Sequence, residues 1–71
     1  MNLHNRLKEI RLQKGLTQES LAHTVGVTRQ TIIAIEKSKF RPSVELALRL
    51  ALALDTPLEE IFWLEDDEGG K

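Results

Sequence analysis

Arg29, Gln30 and Ile33 carry groups that duplex DNA presents partners for in its major groove. A guanidinium can donate two hydrogen bonds to guanine O6 and N7, a carboxamide can pair with adenine N7 and N6, and an isoleucine can rest on a thymine methyl. On a helix these residues and Ala34 fall near its start, where they can project together. Arg29 has a second use, holding a phosphate, and Ile33 a second place, packed on the following helix. Thr31 faces sideways, toward the backbone. Lys37, Lys39 and Arg41 alternate around Ser38 and Phe40, which strings positive charge along a loop and suits phosphates without base preference.

Other chemistries find little support. The chain has no cysteine, and His4 and His23 have no histidine or cysteine partner at ligand spacing, so a metal centre is not expected. Ser20, Ser38 and Ser43 read as helix, turn and cap residues, no Ser-His-Asp set is in view, and no glycine loop cradles a phosphate, so neither an enzyme nor a cofactor is expected. The 71 residues suffice for one small domain, over residues 1–65, followed by an acidic flexible tail over 66–71. No run approaches the roughly 20 apolar residues that span a bilayer, and the first turns are charged, so a soluble cytoplasmic protein is expected. The net charge of −1 hides an asymmetry: up to Val44 eight basic residues face three acids, and from Glu45 onward two face eight. Such a distribution is either a solvated surface or a positive front and acidic rear that would orient the domain on a polyanion.

Thr17 to Lys39, TQESLAHTVGVTRQTIIAIEKSK, must position the reading residues. Thr17 can cap a helix that begins at Gln18, Gly26 stops it, and Thr28 can cap a second helix from Arg29 to about Lys37. Leu21, Val25, Val27, Ile32 and Ile35 are apolar where they would meet in one crossing. Ala22 sits where the helices approach closest, and Gly26 can take the positive φ of a sharp turn. A plain amphipathic helical hairpin shares some of these features but not their combination.

With RLKEIRLQKGLTQESLA, VGVTRQTIIAIEKSKFRPSVELALRLALAL and TPLEEIFWLE, the chain resembles the phage Cro and repressor type of helix-turn-helix, the Xre-like family of regulators. The resemblance implies an all-α, compact five-helix bundle of the lambda-repressor kind, with the helix-turn-helix at helices 2 and 3. It implies a sequence-specific double-stranded DNA-binding transcriptional regulator, a repressor that binds a palindromic operator as a homodimer. The alternative is an antitoxin or adaptor that holds a protein partner through helices 4 and 5. A polar residue is frequent at the place of Gln30 in relatives, and the glutamine matching Gln18 points to a phosphate there; Gln18 otherwise reads as a solvent-facing helix former. Thr28 joins the phosphate-binding set with Gln18, Thr31, Lys37, Lys39 and Arg41. Arg11 and Glu36 match an arginine and a glutamate that form an internal ion pair in relatives. Ser38 departs from the pattern, standing where relatives often have glycine.

The remaining elements follow from periodicity. Helix 1 is expected over residues 3–14, with Leu3, Leu7 and Ile10 on one face and Gly15 ending it; Leu16 should fill the bend. Phe40 is expected as a plug under its loop. Ser43 caps helix 4, residues 44–54, whose inward face comprises Leu46, Ala47, Leu50, Ala51 and Leu54, widened by Val44 and Leu48. Thr56, Pro57 and Glu59 read as cap, first and third positions of helix 5, from which Leu58, Ile61 and Phe62 close the core. Leu52, Trp63 and Leu64 are left over, either as a homodimer interface or, for Trp63, folded back on its own core.

Overall fold

The computed structural model describes residues 1–66. Thr17 starts α2 (Gln18–Val25) with a reciprocal cap: its side-chain oxygen accepts from the Ser20 N–H at 3.0 Å while Ser20 Oγ accepts from the Thr17 N–H at 3.1 Å. Gly26, at φ 82°, reverses the chain, and Val27 N–H donates back to Ala22 O at 3.0 Å. Thr28 and Ser43 cap α3 (Arg29–Glu36) and α4 (Val44–Leu54) through hydroxyls that accept from the third residue onward. Leu21, Ala22, Val25, Ile32 and Ile35 interlock at the α2 to α3 crossing, and Leu7, Ile10, Leu50, Leu54 and Ile61 complete the core.

Two expectations fail at the chain's ends. Residues 2–5 are not helical: they form β1 (Asn2–Asn5), antiparallel to β2 (Phe62–Glu65), with Leu3 opposite Leu64 and His4 opposite Trp63. Helix 1 therefore shortens to α1 (Leu7–Gln13), because Asn5 Oδ1 accepts from the first helical amide, Leu7 N–H, at 3.0 Å and halts backward extension. Helix 5 shrinks to α5 (Leu58–Ile61), since Phe62 is already extended and enters the ladder. Thr56 does not cap it; its hydroxyl donates to Leu54 O at 2.8 Å. The described residues thus form five helices and a two-stranded antiparallel sheet, so the fold is not strictly all-α.

Two packing expectations are also corrected. Val44 is 74% exposed and Leu48 49%, so with Leu52 they form a solvent-facing stripe at i, i+4 and i+8 rather than a wider core face. Phe40 is 48% exposed and so is not buried under its loop. Among the described residues no helix is long and apolar enough to cross a membrane. The acidic tail expected over 66–71 lies, apart from Asp66, outside the described residues.

Candidate nucleic-acid interface

The recognition surface begins with what α3 buries. Ile32 and Ile35 are fully buried, so the helix can neither roll nor slide without breaking the core. Its other face is thereby fixed outward. Arg29 and Gln30 are exposed, while Thr31, Ile33 and Ala34 are half-covered, and neither Ile33 nor Ala34 belongs to the apolar side chains packed against the core. Thr28 is exposed, with its hydroxyl 3.3 Å from that of Thr31.

Beneath this face lies a charged network. Arg11 Nε donates to Glu36 Oε2 at 2.7 Å, and the two side chains are only 7% and 5% exposed. Arg11 Nη1 donates to Leu16 O at 2.8 Å, which ties helix 1 and its bend to the end of α3. Gln18 joins in: its Nε2 donates to Glu36 Oε1 at 3.1 Å. The carboxamide expected to reach a phosphate is therefore held by one of its hydrogens, leaving the other and the amides at the α2 start. That link, between residues 18 apart, left no signal in local sequence.

After α3 the chain turns through Ser38 at φ 60°, the left-handed region that glycine enters cheaply. Ser38 N–H donates to Ile35 O at 2.9 Å and Lys39 N–H to Ala34 O at 2.8 Å, the two bonds of a Schellman closure. The serine thus keeps the geometry a glycine would take. Lys37, Lys39 and Arg41 all emerge exposed from this turn.

The leftover apolar residues do not all meet. Trp63 is half-buried, stacks on His4 with centroids 6.1 Å apart, and lies under the Arg6 guanidinium at 4.9 Å. Leu64 lines an apolar groove with Leu3, Val44, Ala47, Phe62 and Trp63. Leu52, 82% exposed, sits about 12 Å along α4 from the Val44 end of that groove. Val44 and Leu48, which lie between, are the residues that the sequence assigns to the inward face, because a helix face read from sequence has no marked edge. Among the described residues, no group of three or more His, Cys, Asp or Glu side chains is placed to hold a metal.

A helix-turn-helix family model matches residues 7–61. The chain is 48% identical over 65 residues to an uncharacterized HTH-type transcriptional regulator of Bacillus subtilis, covering 92% of this chain and 98% of that one. It is 52% identical over 66 residues to another from Methanocaldococcus jannaschii, covering 93% and 100%. Among solved structures, it is similar to the restriction-modification controller protein C.AhdI from Aeromonas hydrophila, with TM-score 0.72 and 39% identity over 76% of this chain and 82% of that one. A candidate DNA-binding protein from Bacteroides fragilis shares the fold, with TM-score 0.79 and 24% identity over 86% of this chain and 98% of that one.

Proposed function

Because the chain belongs to the helix-turn-helix family and is a DNA-binding transcriptional regulator, we propose that it is a repressor that occupies a palindromic operator as a homodimer. Arg29, Gln30, Ile33 and Ala34 read base edges; Gln18, Thr28, Thr31, Lys37, Lys39 and Arg41 hold phosphates. What carries this reading is that exposed Arg29 and Gln30 stand on a helix locked by two fully buried isoleucines, with the basic turn beside it. A rigid rod that displays donors beside positive charge suits a groove walled by phosphates.

The second copy docks through the exposed stripe of Val44, Leu48 and Leu52 and the groove that Leu64 and Trp63 line. Two-fold pairing would set two α3 helices about 34 Å apart, one turn of duplex. Selection from random duplexes should enrich a palindrome whose half-site centres lie about 10 base pairs apart or a multiple of that. Enrichment of an unpaired half-site, with a monomer in sedimentation at micromolar concentration, would refute the dimeric operator. A heterocomplex that replaces the homodimer would favour the adaptor reading.

A further inference from the structure

Asn5 makes two hydrogen bonds that point in different directions. Its Oδ1 accepts from Leu7 N–H at 3.0 Å, capping α1, and its Nδ2 donates to Ile35 O at 3.0 Å, across 30 residues. Its backbone stands opposite Phe62 in the two-stranded sheet, and the next residue's amide, Arg6 N–H, donates to Ile61 O at 3.0 Å. One residue thus joins the two-stranded sheet, α1 and the last turn of α3.

The carbonyl it reaches belongs to the turn that aims the basic segment. Ile35 O also accepts from Ser38 N–H, and Ser38 holds a left-handed conformation that is unfavourable for a residue with a Cβ. Beside this turn lies a cleft of about 260 Å³, whose lining includes Leu3, Ser38, Phe40, Arg41, Pro42 and Phe62. Asn5 and Ile35 belong to the same lining, so their hydrogen bond lies at this cleft. Accepting from Leu7 N–H, two residues on, would be served as well by aspartate and more weakly by serine. The carboxamide adds a donor, and only that donor accounts for the bond to Ile35.

We propose that Asn5 is a positioning residue for DNA binding: by holding Ile35 O it fixes the turn at Ser38, and with it the register of Lys37, Lys39 and Arg41 against the phosphates. The proposal rests on the assignment of those three side chains to the DNA backbone.

Asn5→Ser and Asn5→Asp both keep a cap for Leu7 and lose the donor to Ile35, while only the second adds charge. In both, exchange of the Ser38 and Lys39 amides with solvent should accelerate about fivefold, the effect of losing one such hydrogen bond. The magnitude of the salt slope of duplex binding should fall by about 1 per protomer, as expected for Lys39→Ala, with the dimer unchanged and the melting temperature lowered by no more than the about 4 to 8 °C that one hydrogen bond is worth. A lowered melting temperature with an unaltered slope would make Asn5 purely structural and overturn the proposal. A lowered slope in Asn5→Asp alone would assign the effect to charge and overturn it equally. If Lys39→Ala itself left the slope unchanged, the phosphate assignment would fall and the proposal with it, whereas a response to Lys39→Ala but to neither Asn5 variant would remove only the role of Asn5.

Discussion

Replacing either member of the Arg11 and Glu36 pair should come close to unfolding the protein, whereas replacing both should not. Glu36→Leu leaves Arg11, 7% exposed, with Leu16 O as its remaining acceptor; Arg11→Met leaves the 5% exposed carboxylate of Glu36 with one donor, Gln18 Nε2. An uncompensated buried charge costs about 3 to 5 kcal/mol. A chain of 71 residues has only about 4 to 10 kcal/mol in total. In the paired variant the charges vanish together, and the groups left over, Leu16 O and the Gln18 carboxamide, belong to half-exposed residues that water can reach. Its stability should lie within about 1 kcal/mol of the parent or above it, giving a coupling of at least about 5 kcal/mol. Urea unfolding of all four proteins, in a sulfate background that keeps the single variants folded, measures the cycle. Additive single effects below about 1 kcal/mol each would refute the claim that this pair registers helix 1 on α3.

Other consequences are simpler to read. Ser38→Gly removes a Cβ from a left-handed turn, and even after the extra freedom glycine has when unfolded it should add about 0.5 to 1 kcal/mol, visible as a higher melting temperature; a lower one would contradict the turn geometry. Ala22 is 2% exposed at the helix crossing, so Ala22→Leu should destabilise by about 1 to 3 kcal/mol in urea unfolding, and a neutral result would mean the crossing is looser than described. Leu48→Glu places two charges in the proposed two-fold interface and should yield a folded monomer in sedimentation, with circular dichroism unchanged; a persistent dimer would move the interface elsewhere.

What sequence made legible was local. Thr17, Thr28 and Ser43 announce helix starts within three residues, Gly26 marks its turn, and the spacing of Ile32 and Ile35 tells which side of α3 is left to solvent. The two-stranded sheet was not legible because its strands, residues 2–5 and 62–65, are far apart in sequence. Leu3, four residues before Leu7, fits a helical face as well as a strand, and only the ladder with Leu64 distinguishes them. Phe62 misled in the same way, at helical spacing from Leu58 yet extended. On α4 the apolar stripe runs continuously from Ala47 round to Leu52, so its boundary with solvent could be drawn only once the neighbouring elements were in place. The candidate reading residues on α3 are proposed from side-chain type and helical position, and the structure leaves Arg29 and Gln30 exposed. The ties that hold them, Gln18 to Glu36 and Asn5 to Ile35, are long-range and were not legible.

The central claim, that the outward side of α3 reads base edges, is tested most directly by repeating the random-duplex selection with Gln30→Ala. Loss of preference should be confined to one base position, repeated symmetrically in both half-sites, with about 1 to 3 kcal/mol less discrimination there and the remaining positions intact. An enriched sequence identical to that of the parent protein, or a uniform loss at every position, would contradict it.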